Sequence, residues 1–366
     1  MHYSKVLKAL CLLAPAARAS LWVDKAPSSV RPYVIEHYAN ANALTIGSQT
    51  FRFPVTGPSS GNKLTILMTS APESGDLSVL PHIHEKYHEN FCCFKGRVQL
   101  WAHKCNDTEA RLLTAGDFGS VPVDTTHTFQ TLDPDTEIVG VVAPGSFEDL
   151  FYFLATQNVS YETQTPYTPV DSGGDAGSGT PAEIISQLAS FDVHAALNFT
   201  PPRDLVNGSR PAGAIWHDGN NNIPSSSGSP YFIALNWGPK YLNNSTGAYQ
   251  IVQPFVTPVT GEQTFTEGTI TLGRRFPDAV SPTWNLTDHL VLIIVEGAID
   301  LTIANETATL LGGDVAFVPG GTPFSYGSKA AFSKFLYVSA GVEGLDQQLL
   351  ADSGEWNWPV FPVASP

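Results

Sequence analysis

Apolar-rich stretches recur along this chain at strand length, cut by glycine and proline. Residues 63–69, 91–94, 98–103, 137–142, 231–235, 290–295, 299–303 and 335–338 are of this kind. Helical spacing is scarce. One helix is predicted over 147–155, where Phe147, Phe151 and Leu154 fall on one face. Another is predicted over 181–190, with Thr180 as N-cap and Glu183 as its third residue. Residues 163–180 are rich in Thr, Pro, Ser and Gly, bury little, and read as a linker. The pattern predicts an all-β protein with a few short helices, divided at this linker.

The two halves resemble each other. Residues 90–96 followed by 97–100 match 290–297 followed by 298–301, each a strand, a glycine turn and a strand. Gly116-Asp-Phe-Gly-Ser-Val-Pro122 matches Gly313-Asp-Val-Ala-Phe-Val-Pro319. Copies roughly 200 residues apart are duplicated domains rather than a short-period solenoid. A chain of 366 residues suits two domains, and 42% hydrophobic residues can fill two cores.

Residues 1–19 read as a secretory signal. Lys5 and Lys8 precede an apolar run over 9–16, and Ala17-Arg18-Ala19 is a small-x-small cleavage site. The run is too short to span a bilayer. Asn106, Asn158, Asn198, Asn207, Asn243, Asn244, Asn285 and Asn305 each open an Asn-x-Ser/Thr triplet, which predicts a secreted, extracellular, N-glycosylated protein. The formal charge of −15 argues against nucleic-acid or anionic-membrane partners. Cys11 leaves with the signal. Cys92, Cys93 and Cys105 read as buried structural residues, with Cys92 and Cys93 on opposite strand faces and Cys93 inward. A Cys92–Cys105 bridge is open to test.

The chemistry concentrates in residues 81–89. His82 and His84, two apart on a strand, point to one side. Glu89 follows at the start of the next strand, and His127 follows the glycine-proline element that begins at Gly116. Three imidazoles and a carboxylate suffice for a mononuclear metal, and these ligands accept copper, nickel, cobalt, iron or zinc. His88 and His103 read as surface histidines.

These residues resemble the cupin motifs: His82, His84, Glu89 and Gly96, then Gly116, Pro122, Asp124 in the usual glycine position, and His127. Asp tolerates the left-handed conformation that such a turn uses. The resemblance implies two jelly-roll β-barrels: an N-terminal cupin domain (20–162), the linker (163–180) and a C-terminal cupin domain (181–366). In the second half the ligand positions hold Thr283, Asn285, Leu290 and Phe324, so that barrel is expected to be metal-free.

A closer resemblance spans nearly the whole mature chain. Arg31-Pro-Tyr-Val-Ile, Leu80-Pro-His-Ile-His84, Thr126-His-Thr-Phe-Gln130, Trp237-Gly-Pro-Lys-Tyr-Leu242 and Gly344-Leu-Asp-Gln-Gln348 are similar to the fungal quercetin 2,3-dioxygenases. That resemblance implies a flavonol substrate, O2, release of carbon monoxide and a depside, and one copper ion (Cu2+) per chain on His82, His84, Glu89 and His127. It implies that Tyr33 lies in an N-terminal arm folded over the pocket. Inward parity adds Phe91 and Phe129 to the wall, a helical face adds Phe147 and Phe151, and a strand face adds Ile138 and Val142. Methionine is common in the family where Leu67 and Ile138 stand. Glu89 is expected to accept the proton of the flavonol 3-hydroxyl. Two alternatives are an oxalate-degrading oxidase or decarboxylase and a non-catalytic ligand-binding bicupin. A homodimer is compatible with either half of the reading.

Overall fold

The computed structural model describes residues 20–39, 43–155, 157–158, 182–202 and 215–362. The signal (1–19), the linker (163–180) and Asn207 lie outside the described residues. The predicted helices are found at Glu148–Leu154 and Ala182–Leu188, the latter continuing as a 3-10 turn over Ala189–Phe191.

Among the described residues, four antiparallel sheets carry the fold. In the first half, an eight-stranded sheet runs Gln157–Asn158, Leu44–Ile46, Gln49–Val55, Thr65–Ala71, Thr136–Ala143, His88–Lys95, Phe118–Val121, Tyr231–Ile233. A five-stranded sheet faces it, in the order His194–Ala195, His82–Ile83, Thr126–Thr131, Arg97–Lys104, Asp107–Thr114. In the second half, an eight-stranded sheet runs Tyr33–Ile35, Val315–Val318, His289–Glu296, Phe332–Ala340, Thr266–Arg275, Ala248–Val256, Tyr241–Asn243, Ser353–Glu355. Its smaller partner sheet is Glu306–Leu310, Ile299–Ile303 and Phe324–Ser328.

Both large sheets are apolar on both faces. In Thr136–Ala143, Ile138 and Val142 face the first barrel's interior, while Val139 and Val141 join a core shared with Ile293, Phe317 and Val338 of the second sheet. Residues buried on two sides need near-continuous apolar sequence, which is why Leu290, Val291, Leu292, Ile293 and Ile294 are all inaccessible. The second barrel's own core holds Leu290 and Phe324, while Thr283 and Asn285 are exposed.

The halves exchange strands. Tyr33–Ile35 pairs with Val315–Val318 of the second barrel, and Tyr231–Ile233 pairs with Phe118–Val121 of the first. The two tyrosines make equivalent clamps. Tyr33 donates its hydroxyl to the Pro54 carbonyl at 2.9 Å and reaches Ser59 Oγ at 3.0 Å. Tyr231 donates to the Phe255 carbonyl at 2.8 Å and reaches Thr260 Oγ1 at 3.2 Å. His194–Ala195 also hydrogen-bonds into the first barrel. Backbone pairing therefore does not part at 163–180: residues after the linker complete the first barrel.

Tyr33 consequently does not line the cavity. It is fully buried and stacked on Phe317 between the two sheets, because its strand belongs to the second barrel. His88 is also not a surface residue. It points to the shared core, edge-on to Phe265, with Nε2 2.9 Å from Ser120 Oγ. His103 is half-buried and bonded to Thr108. The three cysteines are free; Cys92 and Cys93 are buried on opposite faces, whereas Cys105 is exposed in a turn at φ 52°.

Candidate metal centre and cavity

His82 and His127 sit directly opposite each other on adjacent strands of the five-stranded sheet. His84 lies just past the His82–Ile83 strand. Glu89 comes from the facing eight-stranded sheet, opposite Val121 and Val142. The four side chains are buried and their ligand atoms all lie within 4.8 Å of one another. Asp124 takes the left-handed conformation at φ 58° that the turn before His127 needs, and its N–H donates to the His84 carbonyl at 2.7 Å.

The outer ring nitrogens set the chemistry. Nδ1 of His82 lies 2.8 Å from the Leu80 carbonyl, Nδ1 of His84 2.7 Å from the Asp192 carbonyl, and Nδ1 of His127 3.1 Å from the Thr125 carbonyl. A carbonyl only accepts, so each Nδ1 carries the proton and each neutral ring turns the Nε2 lone pair inward. Glu89 Oε2 then stands 3.2 Å from His84 Nε2 and 3.1 Å from His127 Nε2. Lone pairs facing at that range require a cation or a proton between them. The donor set fits a divalent metal of the borderline-soft kind, with imidazole nitrogen and one carboxylate oxygen.

For Glu89 and His82 the electrostatics agree. Burial alone would raise the Glu89 carboxyl, but the hydrogen bonds and charges of His127 and His84 outweigh it and hold it well below the usual carboxylate range. Burial, reinforced by the neighbouring His127 and His84, pushes His82 well below its usual value. Burial also opposes charge on His84, yet its contacts with Glu89 raise it. An ionised carboxylate and a neutral imidazole are the forms that bind metal.

His82 and Glu89 open onto a cavity of about 180 Å³ with a largely apolar wall. Phe91, Phe129, Ile138, Phe147 and Phe151 line it. Val142 does not; it is fully buried behind the wall, packed with Leu67 and Phe147. Gln49, Thr69, Gly140 and Leu188 also line the cavity and escape sequence reasoning. Leu188 comes from beyond the linker, so no local pattern could place it here.

Asp192 is the other residue that sequence does not disclose. It closes the Ala189–Phe191 turn at φ 62° and is 4% exposed. Its carbonyl accepts from His84, and its carboxylate accepts from the N–H groups of Glu85, Lys86 and Tyr87, at 3.2, 2.8 and 3.2 Å. One side chain thus holds residues 85–87 of the segment joining His84 to Glu89.

No protein-family model matches the chain. It is 51% identical to a quercetin 2,3-dioxygenase of Aspergillus japonicus over 348 residues, 94% of this chain and 99% of that one. A quercetin 2,3-dioxygenase of Bacillus subtilis (strain 168) is 31% identical over 141 residues, 38% of this chain and 40% of its own. Among solved structures, an oxalate decarboxylase of Lactobacillus farciminis superposes with a TM-score of 0.50 at 14% identity, covering 83% of this chain and 85% of that one. A Bacillus subtilis oxalate decarboxylase gives 0.50 at 15%, covering 86% and 78%. At such identities the likeness carries the fold alone.

Proposed function

This chain belongs to the quercetin 2,3-dioxygenase family, and from that premise we propose that it opens the heterocycle of a flavonol with O2 at a single copper(II) ion, releasing carbon monoxide and a depside. It is an enzyme of the ring-cleaving dioxygenase class. The observation that carries the reading is the convergence of three inward Nε2 atoms and the Glu89 carboxylate at the end of an apolar, phenylalanine-lined cavity. A flat aromatic substrate suits such a wall.

His82, His84, Glu89 and His127 would hold the copper. Bound there, the metal supplies Lewis acidity toward the 3-hydroxyl and one-electron chemistry toward O2. The protein's own part is threefold. The phenylalanine wall orients the flavonol and excludes water from carbons 2 and 4, where O2 adds. Glu89, held ionised by its two imidazole neighbours, accepts the 3-hydroxyl proton. The backbone carbonyls behind the histidines keep all three Nε2 atoms facing inward.

An oxalate-degrading reading is disfavoured by the same cavity. A small dianion needs a cationic anchor, and no lysine or arginine lines this wall among the described residues. The test is quercetin turnover by copper-loaded and metal-stripped protein: carbon monoxide and O2 uptake should appear with the loaded form only. Carbon monoxide from stripped protein, or none from either form, defeats the reading.

The chain is further proposed to be secreted and N-glycosylated. The asparagines of sequons 106, 198, 244, 285 and 305 are exposed, which supports this. Asn243 is an unsuitable acceptor, since it is buried and its amide donates to the Leu349 carbonyl at 3.0 Å. Among the described residues no helix is long and apolar enough to cross a membrane.

A further inference from the structure

The cavity wall is apolar except at a few positions, and one of them holds an unused acceptor. Gln49 begins the strand Gln49–Val55, is 5% exposed and lines the cavity. Its Nε2 donates to the Ser78 carbonyl at 2.7 Å. That carbonyl is itself fixed, because Ser78 N–H donates to the Phe129 carbonyl and Ser78 Oγ accepts from Thr131 N–H at 3.0 Å. Exchanging the amide's oxygen and nitrogen would set two acceptors against each other, so the orientation is determined. Gln49 Oε1 is left buried without a partner among the described residues. Buried polar atoms are paired in all but a few cases, and the exceptions need an explanation.

Position supplies one. Glu89 lies opposite Val142, Ile138 lies opposite Thr69, and Thr69 lies opposite Phe51. Val142 and Ile138 are four residues apart, about 13 Å along a strand. Gln49, two residues before Phe51, therefore stands at the end of the cavity away from Glu89. Yet Ser78, which holds its amide, is only four residues from His82, a reach of at most about 14 Å. A planar substrate with one end at the ligand group would bring its far ring to Gln49.

We infer that Gln49 reads the substrate: its Oε1 accepts a hydrogen bond from a phenolic hydroxyl on a ring remote from the flavonol 3-hydroxyl. The assignment rests on the flavonol reading and gives it a specificity residue. The neighbouring Ser78 hydroxyl is already engaged with Thr131, so it does not compete for this role.

The experiment compares 3-hydroxyflavone, galangin, kaempferol and quercetin, which add ring hydroxyls stepwise, on copper-loaded wild type, Gln49→Leu and Gln49→Met. Wild type should show one step of roughly 10–100-fold in kcat/KM when the recognised hydroxyl is added, the usual worth of pairing a buried acceptor. Both variants should lose that step and no other, and the change should fall in KM, since the bond exists before and during reaction. The anaerobic dissociation constants should show the same step. Ratios within one variant cancel any loss of stability, and Gln49→Met keeps the side chain's length should leucine disturb folding. A step that survives in both variants, or no step in wild type, overturns the assignment. Failure of wild type to cleave any of the four would instead sink the flavonol reading itself.

Discussion

Glu89 is surrounded by groups that keep it charged, as a metal ligand requires, and it opens onto the cavity where a base would meet the substrate. Its Oε2 faces two imidazole nitrogens, while the cavity wall begins at the same residue. Replacing it with glutamine preserves shape and removes basicity. Glu89→Gln should keep copper on three histidines and still take up flavonol, while turnover per bound copper falls by about 10²–10⁴-fold. Copper content, turnover and the absorbance of the bound flavonol, which reports its ionisation, check this; near-normal turnover per copper removes the base role and leaves the metal site. Asp192 acts one layer out. It touches no reacting atom but orients His84 and the segment before Glu89. Asp192→Ala should weaken copper binding by about 10–100-fold and broaden the copper EPR signal, whereas Asp192→Asn should recover part of both. Unchanged affinity and spectrum in the alanine variant would make Asp192 a mere loop anchor.

At the scale of elements, the centre is a meeting of two sheets, and the sheets are tied by exchanged strands. Most strands were legible because turn residues and alternation bound them: 98–103 and 290–295 fall inside Arg97–Lys104 and His289–Glu296. His82, His84 and Glu89 were legible because their spacing is local, and His127 because it follows the glycine-proline element that begins at Gly116. The exchange was not, since three apolar residues such as Tyr33–Ile35 carry no signal of which sheet edge they join. Tyr33 was drawn to the cavity by resemblance and sits instead between the barrels, where edge pairing buries it. His88 misleads for a related reason: a histidine beside Glu89 faces away from the metal, and away here means the shared core rather than solvent. The clamp can be tested directly. Tyr33→Phe leaves the buried Pro54 carbonyl without its donor and should cost about 1–3 kcal/mol in denaturant unfolding, with Tyr231→Phe matching it. A cost at only one of the two positions would deny their equivalence.

The same shared core holds Glu267, fully buried, with Oε2 accepting from Asn90 Nδ2 at 2.7 Å and Oε1 near Cys92 Sγ. Burial pushes its carboxyl up to about 8, against the lowering effect of Asn90 and Cys92. The folded state therefore holds a proton that the unfolded chain releases near its ordinary value of 4.5. The resulting stability is fully present below that value and is lost as pH rises through about 8. Wild-type unfolding free energy should decline across this window, and Glu267→Gln should flatten the decline. Parallel pH profiles for the two proteins would show that Glu267 does not cause it.

As a whole, the molecule is a duplicated barrel with unequal halves. The first holds four convergent donors beside a cavity; the second fills the corresponding positions with Leu290 and Phe324 inside its own core. The second half still builds the site: Asp192, Leu188 and the strand Tyr231–Ile233 come from beyond the linker and complete the first barrel. Among the described residues the four convergent donors lie in the first barrel, and the second packs an apolar sheet against it. The most direct test is a crystal structure of the protein grown anaerobically with copper and quercetin, using anomalous diffraction at the copper edge. The account predicts one anomalous peak per chain, enclosed by His82, His84, Glu89 and His127, with the flavonol lying along the phenylalanine wall and its 3-oxygen toward Glu89. A peak in the second barrel, or a flavonol bound away from Glu89, would contradict it.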